Sequence, residues 1–296
     1  MGHSEAKMTT MEPIDIAVAD IPETEMQKFR EVCWRHTLGF VIPALGDESD
    51  RIGDVRQAGT GTLVRTISGL AIVTAAHVAD ALQKCGEFGI IARSPHVTHH
   101  YLNADNFVFH KLGKEPYDPE TLDIALIEIP LAGSHTFERL VVALNLAPHL
   151  LSISEANFTP LRGLAGVFGF VDEFTRDLAA TDGLVDHKGF SLGGALGIAD
   201  NWNREQANDV ISLEAVRLTD TDPTSWSGVS GGGLWQVDVT QGEDGGVSLG
   251  KPVLCGVLFY EGEKNESGRR LFAQGPRALL RVVAEAQAHG YGERDV

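Results

Sequence analysis

Ser227-Gly228-Val229-Ser230-Gly231-Gly232-Gly233-Leu234-Trp235-Gln236-Val237 sets a serine inside a glycine-rich turn and runs the chain directly into an apolar strand. Small neighbours leave the Ser230 hydroxyl open to a reactant. A nucleophilic serine also needs backbone N–H groups converging on the oxyanion it creates, and glycine lets the backbone approach with no side chain in the way. The Gly228 N–H and the Ser230 N–H are the natural pair for such an oxyanion hole. Taken alone, a turn of this kind is ordinary loop chemistry more often than catalysis. The reading therefore rests on what else the chain supplies.

A serine hydroxyl is a poor nucleophile near neutral pH, so a general base has to lie within hydrogen-bonding reach, and histidine suits the task best. His77 ends Ala71-Ile72-Val73-Thr74-Ala75-Ala76-His77, an apolar β run whose last small residues let the ring emerge at a strand end. By itself it reads as a satisfied core histidine. Asp123 follows 46 residues later and opens Leu122-Asp123-Ile124-Ala125-Leu126-Ile127. A carboxylate facing an apolar interior needs a partner to offset its desolvation, and an imidazole N–H supplies one. In this scheme Ser230 attacks a carbonyl, His77 takes and returns the proton, and Asp123 sets the tautomer and steadies the imidazolium.

Thr74-Ala75-Ala76-His77, Asp123-Ile124-Ala125-Leu126 and Gly228-Val229-Ser230-Gly231-Gly232, in that order, resemble the three signatures of trypsin-like serine peptidases. The resemblance covers Thr37 to Pro276. It implies an all-β fold of two six-stranded antiparallel β-barrels, the first carrying His77 and Asp123 and the second Ser230, with a substrate cleft between them. It further implies a specificity pocket lined by Thr224, Ser225 and Gly228 on one side and by Phe259, Tyr260 and Glu261 on the other. The base of that pocket lacks a carboxylate, and Glu261 at the rim favours a basic side chain only if it points inward. Val229 stands where digestive members carry an aspartate that pairs with a newly cut N-terminus, and no Ile-Val-Gly-Gly start is present. The chain is thus more similar to the bacterial, non-zymogen members. Gly233 replaces the usual proline after the turn.

Periodicity marks the remaining elements. Ile21 to His36 reads as a helix, with Asp20 as cap and Met26, Phe29, Val32 and Cys33 on one face. A first set of strands is expected at Gly39 to Pro43, Gly61 to Thr66, Leu70 to Thr74, Phe107 to His110 and Ile124 to Ile129. After a connection around Ala132 to Arg139, a second set is expected at Val141 to Leu144, Gly166 to Phe170, Val210 to Leu218, Gly233 to Val239 and Val253 to Tyr260. Pro276 to Ala288 reads as a closing amphipathic helix, with Gly290 past its end. The expected units are an N-terminal arm and helix (1–36), a first barrel (37–135), a second barrel (136–275) and a C-terminal helix and tail (276–296). Residues 176–208, polar and glycine-rich, read as a surface insertion or a regulatory loop beside the cleft.

Composition narrows the function classes. The 296 residues, 43% apolar and 22% charged, match a soluble globular protein with a sizeable core. A formal charge of −17, from 41 acidic and 24 basic residues, opposes phosphate neutralisation, so neither nucleic acid nor an anionic membrane is an expected partner. A polypeptide substrate is, and a regulatory protein docking on the N-terminal helix or on 176–208 is a further expectation. Cys33, Cys85 and Cys255 are odd in number and widely spread, which fits a reducing compartment and small apolar core roles. Met1 to Pro13 lacks a basic end followed by an apolar run, and no stretch approaches membrane-spanning length, so a cytoplasmic location is expected. Met8 and Met11 are alternative natural starts, and Met1 to Lys7 is left out of the fold reading.

Several patterns compete. Gly189-Phe190-Ser191-Leu192-Gly193 matches a G-x-S-x-G elbow, which would make the chain an esterase, but polar residues precede it and glycines interrupt the segment after it. His96, His99 and His100 cluster without a spaced acidic or cysteine partner, so no metal is expected, and the proposed chemistry needs no cofactor. Residues 245–251 end in lysine but have Pro252 where a phosphate loop needs Ser or Thr. Gly242 to Gly246 reads as a hairpin turn. A protease-like binding or scaffold module, inactive or gated by a partner, is the rival from another class.

Overall fold

The computed structural model describes residues 18–43, 55–92, 100–113, 122–154, 163–178, 187–197, 199–203, 209–215, 223–242, 245–264 and 269–292. A 3₁₀ turn at Val18–Asp20 leads into α1 (Glu23–Trp34), followed by β1 (Thr37–Pro43), β2 (Val55–Arg65), β3 (Leu70–Thr74), α2 (Ala76–Cys85), β4 (Glu87–Ile91) and β5 (His100–Asn103). After a 3₁₀ turn at Ala104–Asn106 come β6 (Val108–Leu112), β7 (Ile124–Glu128), α3 (Leu131–Leu140), β8 (Leu144–Asn145) and α4 (Leu146–Ser154). The second half holds β9 (Leu164–Leu178), β10 (His187–Gly197), β11 (Ala199–Asn203), β12 (Val210–Ala215) and β13 (Gly233–Val237). It continues with β14 (Val239–Gln241), β15 (Val247–Leu249), β16 (Val253–Lys264), β17 (Arg269–Gln274) and α5 (Pro276–Gly292).

The chain is mostly β, arranged as two curled sheets compatible with a double-barrel fold. The first runs β5-β4-β1-β2-β3-β7-β6 with antiparallel neighbours, and the short β8 adds in parallel to β2 through Val64↔Leu144. The second runs β10-β9-β13-β16-β17-β12-β11, antiparallel throughout, and β14 and β15 form a separate hairpin. Among the described residues, an eight-stranded and a seven-stranded sheet stand where six-stranded barrels are expected. Central strands are the apolar ones: every residue of β3 and β13 is buried, as are the first four of β7.

The structure departs from the sequence reading at several places. Val141 to Leu144, expected in the second half, has Leu144 as its only strand residue, and that residue pairs with the first sheet; crossover to the second sheet falls after Asn145. Much of 176–208, expected as an insertion, is strand: β10 pairs with β9 over the long register from His187↔Leu178 to Gly197↔Ala165. Ser191 lies within β10, opposite Val171, so its G-x-S-x-G setting is a strand interior and not the strand-turn-helix elbow an esterase requires. Helices α2, α3 and α4 lie where the sequence pattern predicts none, and α5 runs on through Gly290 to Gly292.

Two cores result. Leu38, Phe40, Leu63, Ile72, Phe88, Phe107 and Phe137 fill the first sheet's interior. Phe168, Leu234, Trp235, Leu254 and Val257 fill the second, and α1 contributes Met26, Phe29 and Cys33 to it. The Phe29 ring meets Phe168 edge-on at 5.4 Å, so the apolar face of α1 is spent inside the chain's own core. Its cap is Pro22, without a side-chain hydrogen bond, and not Asp20. Cys33 and Cys255 are buried free thiols whose pKa burial pushes up, while Cys85 is half-buried. His96 and His99 lie outside the described residues. Among those described, no helix is long and apolar enough to cross a membrane.

Trp235 sits between two histidines, stacked on His36 at 5.8 Å and edge-on to His149 at 6.2 Å. His149 Nδ1 accepts the Leu254 N–H at 3.0 Å, so its neutral form carries the proton on Nε2. Burial, with Lys251 and His36 nearby, lowers its pKa to about 4, and burial lowers that of His36 too. Protonating Nδ1 would set a donor against a donor. Because the folded pKa lies below the unfolded value, stability is complete above about pH 6.5 and is lost as pH falls toward 4, by at most about 1.4 kcal/mol per pH unit for one proton. The thermal midpoint should therefore fall between pH 7 and pH 4.5, and more shallowly in His149→Gln, which keeps a neutral acceptor. Equal slopes in the two proteins would rule out His149 as the source.

Candidate active site

His77 enters through a helix. Strand β3 ends at Thr74, Ala75 caps α2 without a side-chain bond, and His77 is the second helical residue, not the tip of the strand itself. Ala76, Val78, Ala79 and Leu82 bury one face of α2 against the first core and so fix the direction of its first turn. Asp123 stands immediately before β7, with 2% of its surface exposed. Its Oδ1 accepts the His77 backbone N–H at 2.9 Å and its Oδ2 lies 2.6 Å from His77 Nδ1. One carboxylate thereby caps an open helix N-terminus and orients the imidazole. The bond at Nδ1 leaves Nε2 as the nitrogen able to take a proton from elsewhere.

The Ser230 turn approaches the first turn of α2 from the second sheet. The Thr60 N–H donates to the Ser230 carbonyl at 2.8 Å, which joins the turn to β2. A Cβ added to Gly59 would stand 2.6 Å from Val78 Cγ2 and 3.0 Å from the Ser230 carbonyl oxygen, so the first turn of α2 and the serine turn border one glycine. Gly231 has φ +88°, and a Cβ there would lie 2.0 Å from the Thr60 carbonyl oxygen and 2.1 Å from Thr74 Oγ1. Only glycine fits that approach.

The Ser227 carbonyl accepts the Asp172 N–H at 2.9 Å, which turns the N–H of the same peptide, that of Gly228, the opposite way. Gly228 has φ +86°, and its carbonyl accepts Thr60 Oγ1 at 2.8 Å and Gln57 Nε2 at 2.9 Å. Among the described residues neither the Gly228 N–H nor the Ser230 N–H takes a backbone acceptor. Two unspent donors at a turn near the N-terminus of α2, where half-buried His77 meets buried Asp123, form an arrangement able to stabilise negative charge next to a hydroxyl.

The residues expected to line a pocket behave differently. Glu261 does not offer a free carboxylate: Oε1 accepts the Trp226 N–H at 3.0 Å, Oε2 accepts Ser225 Oγ at 3.1 Å, and Arg269 Nε lies 3.1 Å from Oε1. Glu173 Oε2 accepts the N–H groups of Thr224 and Ser225 at 2.7 and 3.0 Å, and Arg269 Nε donates to the Thr224 carbonyl at 2.9 Å. The segment 224–226 is thus clasped by two carboxylates and a guanidinium. The Phe259 side chain is 1% exposed within the first core, which leaves only its backbone to face a cleft. Tyr260 is half-buried, its ring 5.6 Å from that of Phe272. Glu173, Arg269, Gln57 and Thr60 escape sequence reasoning, although a threonine between two glycines inside a strand signals a close backbone approach.

No protein-family model matches the chain, and no curated protein matches it.

Gly231→Ala should cost about 2 kcal/mol or more, from positive φ together with overlap against Thr60 and Thr74. A urea midpoint unchanged from the wild type would show that the turn relaxes freely.

Proposed function

We propose that the chain is a serine endopeptidase of the trypsin-like kind, with Ser230 as nucleophile, His77 as general base and acid, and Asp123 as its orienting carboxylate. The observation that carries this reading is the 2.6 Å contact between His77 Nδ1 and a carboxylate that is 2% exposed. Burying a charge is costly unless it is paired. A pair of this kind, beside a serine turn with two unspent N–H groups, has more use in proton transfer than in packing.

Ser230 Oγ would attack the carbonyl carbon of a peptide as its proton passes to His77 Nε2, and the oxyanion would be held by the Gly228 and Ser230 N–H groups. The C–N bond then breaks, the amine leaves with the proton from His77, and an acyl ester remains on Ser230. Water, deprotonated by the same imidazole, attacks that ester and returns the serine. Asp123 stays ionised and stabilises the imidazolium at each stage. The clasped 224–226 segment supports a rigid wall beside the nucleophile, and Glu261, spent on that wall, is not available to select a basic side chain.

The test is hydrolysis of an unfolded polypeptide followed by mass spectrometry of the products. Ser230→Ala should abolish cleavage with a nearly unchanged melt, and Asp123→Asn should lower kcat by about four orders of magnitude, because its amide imposes the wrong tautomer on His77. Cleavage by Ser230→Ala at the wild-type rate would refute the assignment.

A further inference from the structure

Every polar group of Thr60 is spent on a hydrogen bond to another part of the chain. Its N–H donates to the Ser230 carbonyl at 2.8 Å and its carbonyl accepts Thr74 Oγ1 at 2.7 Å. Its hydroxyl donates to the Gly228 carbonyl at 2.8 Å and accepts the Phe170 N–H at 3.0 Å. The residue is wholly buried, with Cγ2 directed at Gly169 of β9, where an added Cβ would come within 3.1 Å. One side chain from the first sheet thus reaches both the serine turn and the strand beside it in the second.

A strand irregularity makes this convergence possible. Register slips between Phe40↔Gly59 and Val41↔Gln57, so Ala58 is an extra residue on β2. In a regular strand, positions three apart face opposite sides. The bulge brings Gln57 and Thr60 to one side, and both donate to the Gly228 carbonyl. Asp172 meanwhile holds the carbonyl of Ser227. Both peptide planes flanking the Gly228 α-carbon are therefore fixed, one by Asp172 and the other by Thr60 and Gln57. Fixing both sets the direction of the Gly228 N–H.

We propose that Thr60 is the positioning residue that holds the turn 227–230 in its charge-stabilising conformation, a role that rests on the hydrolase reading of Ser230. It touches neither substrate nor the reacting hydroxyl and acts through Gly228 and Ser230. Aim of a donor at a developing charge matters in the transition state and little in the ground state, so its loss appears in kcat and not in KM.

The test compares wild type, Thr60→Val, Thr60→Ser and Gln57→Met for peptide hydrolysis, together with hydrogen exchange of the peptide covering 227–230. Thr60→Val keeps the branched shape but loses the hydroxyl; kcat should fall about 100-fold with KM changed less than about threefold. Thr60→Ser should recover most of the loss. Gln57→Met, which removes the second donor to Gly228 together with the bond from Gln57 Nε2 to the Phe170 carbonyl, should show an intermediate loss and remains informative should Thr60→Val not fold. Exchange over 227–230 should be faster in Thr60→Val than in wild type. Wild-type turnover with an unaltered kcat in Thr60→Val, or in Gln57→Met where that variant stands in, would overturn this proposal alone. Absence of turnover in the wild type would overturn the hydrolase reading and this role with it.

Discussion

Two sheets that share no strand have to be held in one relative position, and here the hydrogen bonds of a single buried threonine join one to the other. Thr60 is wholly buried, so each of its groups either finds a protein partner or costs free energy. All three do so, in four bonds across β3, β9 and the serine turn. Because each bond has one geometrically acceptable arrangement, the second sheet cannot slide against the first without orphaning several buried groups together. The glycines around the junction are a consequence of this closeness. Gly169 and Gly231 have no space for a Cβ because Thr60 fills it, with Val229 at the first and Thr74 at the second.

A second constraint repeats at two helices. Asp123 caps α2 from the start of β7, and Asp209 caps α5 through the N–H groups of Arg277 and Ala278 at 3.0 and 3.1 Å. Each is a buried carboxylate placed against the positive end of a helix, where open N–H groups and the macrodipole offset its desolvation. Asp209 holds backbone N–H groups beside Gly275, whose N–H its own carbonyl accepts, and Asp123 holds both a backbone N–H and an imidazole. The bond to the imidazole turns a structural cap into an arrangement capable of acid–base chemistry.

Strands with continuous apolar runs are legible from composition: Leu70 to Thr74 keeps the bounds its apolar run implies, and the strands at Ile124, Gly233 and Val253 end within a few residues of theirs. The serine turn is legible because glycine at Gly228 and Gly231 has a backbone reason, positive φ, that leaves a mark in sequence. Helix α2 is not, since alanines after a β run give no helical period until Val78, Ala79 and Leu82 are seen to share a face. Strands β10 and β11 escape because glycine and polar residues obscure alternation, and it is pairing with β9 and β12 that makes them strands. Leu144 joins the first sheet by a parallel pairing with Val64, far earlier in the chain, which no local pattern reports. Glu261 is legible as a carboxylate near the site but not in its orientation, because two of its partners, Ser225 and Trp226, lie on a loop far upstream.

The central claim is that Ser230 is a working nucleophile, and covalent labelling with a fluorophosphonate, followed by peptide mass spectrometry, tests it most directly. The account predicts a single phosphonylated peptide carrying the adduct on Ser230, with labelling lost in Ser230→Ala and retained in Ser191→Ala. An adduct on Ser191, or a folded wild-type chain that takes no label at Ser230, would contradict it.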